Sequence, residues 1–146
     1  MKIAITILCL IAISTACMAQ TSNYKLTVRI EGLRSNKGQV VMALFDSTGQ
    51  KRFPNKKQAI IWKTLPIGID STWTLFDSLS TGKYAIMALH DEDSNGDLTK
   101  NRLGLPKEGI GFCQTKKAGF APPNWKDAHF TLHQADTTIY VTIHYR

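Results

Sequence analysis

Cysteine, proline and long apolar runs are all scarce in this chain of 146 residues. Of its three cysteines, Cys9 and Cys17 fall in the first 19 residues. Without that segment only Cys113 remains, no internal disulfide can form, and stability must come from a packed core. After the first apolar run no second one of comparable length follows, so the pattern offers no transmembrane span. No Gly-x-Ser-x-Gly elbow occurs, which removes one familiar route to a serine nucleophile. Basic stripes interleaved with aromatics are also missing, which argues against a nucleic-acid module. The formal net charge of +7 is spread over short clusters such as Lys51-Arg52, Lys56-Lys57 and Lys116-Lys117, as on a solvated basic surface.

What is present begins with an export signal. Lys2 supplies a positive start, Ile3 to Ile13 are almost wholly apolar, and small residues lead to Ala19-Gln20, so cleavage is expected after Ala19. Eleven residues of helix rise only ~16 Å against a hydrocarbon core of roughly 30 Å, too short to span it. The alternative is a lipoprotein signal with a lipid anchor on Cys17, although Ser14 stands where a large aliphatic residue is usual. Residues 20–146 are then expected to form one domain in the periplasm or outside the cell.

Alternation dominates this part. Leu26, Val28 and Ile30 share one face of a half-buried strand, Tyr24 to Ile30. Gln39 to Phe45 is apolar on both faces, as a strand covered on both sides would be, and Ser35-Asn36-Lys37-Gly38 suggests that the two form a hairpin. Further strands are expected at Ala59 to Thr64, Ser71 to Phe76, Tyr84 to Leu89, His129 to Leu132 and Thr138 to Tyr145. Between Asp91 and Asp127 no period is sustained, and a stretch that long is a candidate functional region. The chain therefore reads as all-β: an antiparallel two-layer sandwich of about seven strands, immunoglobulin-like or transthyretin-like, with one long loop.

Four segments carry a family resemblance: Gly38 to Phe45, Gly82 to Asp93, Gly104 to Phe112, and Asp127-Ala128-His129-Phe130. In this order they resemble the bacterial family catalogued as domain of unknown function 2141. That resemblance implies an exported β-sandwich and brings no reaction with it. Leu79-Ser80-Thr81-Gly82-Lys83-Tyr84 is similar, more distantly, to a corner of transthyretin-like and carboxypeptidase-regulatory-like sandwiches. The ending His144-Tyr145-Arg146 resembles the terminus of transthyretin-like hydrolases, but the following Gly-Ser is missing, so their activity is not carried over.

The richest chemistry lies in Asp91-Glu92-Asp93-Ser94-Asn95-Gly96-Asp97. Oxygen ligands at Asp91, Asp93 and Asn95, with a glycine at Gly96 and the backbone carbonyl of Asp97, match the first half of an EF-hand calcium loop. A hard cation takes six to eight oxygens, and the tight turn aims them inward. The twelfth position is Arg102 instead of glutamate, so the last carboxylate must come from Glu108 or Asp127. The competing reading is an acidic Asx turn that needs no ion.

The other reactive residues are less suggestive. His129 and His133 are four residues apart on a strand, roughly 13 Å, too far for one ion. His90, beside Asp91, is the histidine within reach of the loop and a ligand-contact candidate. Cys113 is a lone thiol. Trp62, Trp73 and Trp125 can form a sugar-binding platform; Trp62 and Trp73 read as core, and Trp125 as an exposed contact. The reading that results is a non-enzymatic binding or structural module of the cell envelope, with calcium as its cofactor and an envelope protein or glycan as its partner. A hydrolase centred on the Asp91–Asp127 loop is the alternative.

Overall fold

A computed structural model of the protein describes residues 23–68, 72–115, 121–133 and 135–146. The expected cleavage at Gln20 and the lipid anchor at Cys17 lie outside them. The described residues form eight strands: β1 Asn23–Glu31, β2 Gln39–Asp46, β3 Ile61–Pro66, β4 Thr72–Ser80, β5 Gly82–Asp91, β6 Gly109–Phe112, β7 His129–Leu132 and β8 Thr137–Thr142. They form two sheets. One has the order β4-β1-β8; the other runs β3-β2-β5, with β7 and β6 sharing the far edge of β5. The molecule is an all-β sandwich, as the alternation predicts.

Two expectations of the strand pairing do not hold. β1 and β2 are not a hairpin: β1 pairs with β4 and β8, while β2 pairs with β3 and β5 in the other sheet. β2, apolar on both faces, sits at the centre of the larger sheet, where the core covers one face and Phe53 the other, while β1, with one apolar face, lies in the opposite sheet. Nor is the pairing wholly antiparallel, since β1 and β8 run parallel. The Asp91–Asp127 stretch also contains more structure than its lack of period suggests. It holds β6, a bridge between Lys100 and Pro106, and the start of a one-turn helix, α1, Trp125–Ala128.

The core fills the space between the sheets, with Leu26, Val28, Ile30, Val40, Met42, Leu44, Phe76, Ile86, Leu132 and Val141 all buried. On the opposite face of β2, Val41, Ala43 and Phe45 are buried as well. There the segment after β2 folds back, placing Phe53 edge-on to Phe45, Phe112 and Trp125 at centroid distances of 5.0, 6.0 and 5.7 Å. This second aromatic layer explains why Val40 to Phe45 of β2 and Tyr84 to Leu89 of β5 are apolar on both faces.

The smaller sheet has no such layer among the described residues. On β4 the alternation resolves opposite to hydrophobicity: Thr72 and Thr74 face inward, while Trp73 is 54% and Leu75 38% exposed. Phe76, in phase with the threonines and 3% exposed, fixes the inward face. The buried hydroxyls are satisfied, Thr72 by the Gly68 amide at 3.3 Å and Thr74 by Lys63 Nζ at 3.4 Å. Trp73 is thus a surface residue, and Trp62, 39% exposed on β3, is one too.

Candidate functional site

The site grows from the end of β5, where the chain leaves the sheet with two buried acidic neighbours. Asp91 is fully buried and Glu108, just before β6, is 4% exposed. Asp93 joins them from the exposed part of the loop, and one carboxylate oxygen from each of the three lies within 4.8 Å of the others. The pairing of β5 with β6, His90 opposite Gly109, brings residue 108 back to residue 91. A sequence spacing of 17 is closed by a sheet register, which no local motif encodes.

The loop is wound on its own side chains. Asp91 Oδ1 accepts from the Asn95 amide at 3.0 Å, and Oδ2 accepts from the Gly96 amide at 2.8 Å and from Gln39 Nε2 at 2.7 Å. Asn95 Oδ1 accepts from the Asp97 amide at 2.7 Å. Gly96 takes φ +79°, a left-handed conformation that favours glycine and lets the turn close. Glu108 spans the loop, accepting from the amides of Glu92 and Thr99, each at 2.8 Å. Thr99 Oγ1 donates to Asp93 Oδ2 at 2.8 Å and receives Asn95 Nδ2 at 2.9 Å. Asp97 turns its carboxylate outward to an ion pair with Lys56.

Burial pushes the Asp91 carboxyl up, but hydrogen bonds from Gln39 and the Gly96 and Asn95 amides outweigh it and hold the group below its ordinary value. Glu92 is held low by its hydrogen bond from Arg34, which also donates to the Lys107 carbonyl at 3.2 Å. The three converging carboxylates offer oxygens only, the donor set of a hard cation.

His90 is placed beside this group but turned away from it. Its Nε2 lies 2.9 Å from the Lys37 carbonyl, which can only accept, so Nε2 carries the proton and Nδ1 accepts from the Tyr145 hydroxyl. That hydroxyl also accepts from the Arg34 amide at 3.0 Å. Both ring nitrogens are engaged. Trp125 is half-buried, stacked on His129 at 5.8 Å and edge-on to Phe53, so the expected exposed contact is instead part of the second aromatic layer. Cys113 is buried; its thiol donates to the Ala128 carbonyl at 2.8 Å and accepts from the Ile86 amide at 3.0 Å. Burial pushes it up to about 12, so it is no nucleophile at neutral pH.

Residues 28–140 match the model of a family described as uncharacterized protein conserved in bacteria, DUF2141. The chain belongs to this family. No curated protein and no solved structure matches it significantly, and the transthyretin-like resemblance finds no counterpart there. Within this DUF2141 chain, the segment Gly104 to Phe112 that carried the resemblance supplies both the clasp and its support. Glu108 bridges the loop, and a Cβ on Gly109 would stand 2.4 Å from side-chain atoms of Ile143 and Tyr145. The C-terminal chain can therefore lie directly against β6. No helix among the described residues is long and apolar enough to cross a membrane.

Gln39, Thr99, Arg34 and Tyr145 were not legible as members of this network. Their partners are set by sheet pairing and loop closure; Gln39 and Tyr145 are legible only as members of expected strands, and Arg34 and Thr99 carry no signal.

Proposed function

We propose that this DUF2141 chain is an exported, non-enzymatic binding module of the cell envelope whose long loop is clasped by calcium. The observation that carries the reading is the convergence of Asp91, Asp93 and Glu108 on one point, with oxygens within 4.8 Å. A carboxylate has about four lone-pair sites, so hydrogen bonds to backbone amides leave capacity for an ion. Three like charges so close repel, and a divalent ion turns that repulsion into coordination. Asn95 and the Asp97 carbonyl would add ligands from the same turn. Calcium suits a permissive oxygen set better than magnesium, which demands stricter geometry.

A binding role is favoured over hydrolysis because the groups a hydrolase would need are occupied. His90 is spent on Lys37 and Tyr145, and Cys113 is buried and protonated. Export, to the periplasm or medium, or by a lipid anchor on Cys17, follows from the apolar N-terminal segment.

Calorimetric titration of metal-free protein with calcium tests the clasp. One site is expected, and the stability gain at a hundredfold excess over the dissociation constant is about 2.7 kcal/mol. Asp93→Ala should remove most of that gain, whereas Asp77→Ala, on β4, should not. Absence of both heat and melting shift at millimolar calcium overturns the ion and leaves an acidic turn.

A further inference from the structure

We propose that the outer face of the β4-β1-β8 sheet, with the cleft at its end, binds a neutral, extended oligosaccharide. Three observations converge there, none of them involving the acidic loop.

The first is the row of side chains across the sheet. Arg29 on β1 is in register with Trp73 on β4 and with Tyr140 on β8. All three point away from the core, and Trp73 and Tyr140 are 54% and 56% exposed. Their backbones are two strand spacings apart, about 10 Å, close to the advance of a disaccharide unit in an extended chain. The next row places Thr27 between Leu75 and Thr138. Ring faces alternating with hydrogen-bonding side chains complement a sugar, which presents apolar C–H faces and a polar rim.

The second is a cleft of about 570 Å³ where the row meets the strand ends, lined by Arg29, Glu31, Ser35, Asn36, Thr72 and Tyr140 among others. Among the described residues, the side chains of Arg29, Glu31 and Asn36 make no hydrogen bond or ion pair. A guanidinium, a carboxylate and a carboxamide with unspent capacity are the groups that pair with vicinal hydroxyls.

The third is charge. The three strands carry Lys25 and Arg29 against Glu31 and Asp77, so this sheet is neutral in a chain of formal charge +7. A polyanion would find no net attraction here, which disfavours nucleic acid, phosphate and acidic glycans. A second copy of the chain would need an interface of ~800 Å² per partner with a dry centre. Here the apolar side chains are separated by Arg29 and Thr27.

The test is isothermal titration of the full chain with cellohexaose, chitohexaose and maltohexaose, alongside tryptophan emission. At least one should bind at micromolar to millimolar concentration. Trp73→Ala and Tyr140→Ala should each weaken binding roughly tenfold. Trp62→Ala, on the other sheet, should leave it unchanged, and thermal melts should confirm that all three variants are folded. Binding of none of these sugars at millimolar concentration overturns the proposal, as does binding that both ring variants leave intact. Preference for an oligogalacturonate overturns the neutral class. A dimer abolished by Trp73→Ala without sugar binding assigns the face to a second copy instead. Chelator should not change the sugar titration, so failure of the calcium clasp and failure of this site are separate results.

Discussion

The two sheets of this sandwich solve the same burial problem with different amounts of cover. In the larger sheet, β2 and β5 are packed on one side by the core and on the other by Phe53, Phe112 and Trp125. In the smaller sheet the outer side ends at Trp73, Leu75 and Tyr140, all exposed. A covered strand spends its apolar residues on stability, so substitutions there report packing. An exposed aromatic on a bare sheet adds little to folding and is available for contact. The comparison therefore separates the part of the molecule that holds the fold from the part that can meet another molecule.

The largest expected effect tests that separation directly. Phe45, fully buried on β2 and edge-on to Phe53, should cost about 3–5 kcal/mol when replaced by alanine, through lost transfer energy and the cavity left behind. Trp73→Ala, despite removing a larger side chain, should change stability by no more than ~0.5 kcal/mol. Denaturant unfolding of both variants measures the pair. If Trp73→Ala costs as much as Phe45→Ala, the outer face of the smaller sheet is a packed layer and the contrast fails.

A smaller effect belongs to the link between the sheets. Tyr145 follows β8 in one sheet, and its hydroxyl bonds to His90 on β5 of the other. Tyr145→Phe keeps the ring but leaves His90 Nδ1 without its donor and the Arg34 amide without its acceptor. A loss of ~1–3 kcal/mol is expected for the buried His90 nitrogen so orphaned, while the exposed Arg34 amide can turn to water. Thermal melts, with Tyr140→Phe as an exposed control, check it. Equal effects in the two variants would mean that the His90 bond contributes nothing beyond a surface hydroxyl.

The strands are more legible in the sequence than their partners are, and particular residues show why. Gln39 to Phe45 announced cover on both faces but could not name it, because Phe53 and Trp125 arrive from segments without period. On β4 alternation defines two faces, and hydrophobicity alone favours turning Trp73 inward. Phe76, two residues beyond Thr74, held the contrary information, since its parity places the threonines inside. Strand β6 shows no strand pattern in the sequence, because Gly109 and Gly111 weaken any such signal. Those glycines are there for the close approach of the C-terminal chain. In the candidate site, Asp91, Asp93 and Asn95 were legible as a turn of fixed spacing. Glu108 was one of two carboxylates that could complete it, and only the β5–β6 register brings it to the others.

The smallest expected effect is a pH edge at the covered sheet's end. Asp91 is held below its ordinary value of 3.8 against the opposing effect of burial, because Gln39 and the Gly96 and Asn95 amides donate to its charged form. A group whose folded pKa lies below its unfolded one binds fewer protons when folded, so its contribution is fully present above the unfolded value and lost as pH falls through the folded one. Stability of metal-free protein should thus decline as pH drops below 3.8, with a slope of no more than one proton from this residue. Asp91→Asn removes the titrating group. The variant should be less stable at neutral pH, where an amide nitrogen meets donors that expect an oxygen, and its acid limb should be shallower by Asp91's share. Glu92, held low by Arg34, would still contribute its own decline, so the limb should flatten without disappearing. Melting temperature followed from neutral to acidic pH distinguishes the cases. An unchanged acid limb in the variant would mean that the amide cradle around Asp91 persists whatever its charge, and that winding the loop does not depend on an ionised carboxylate.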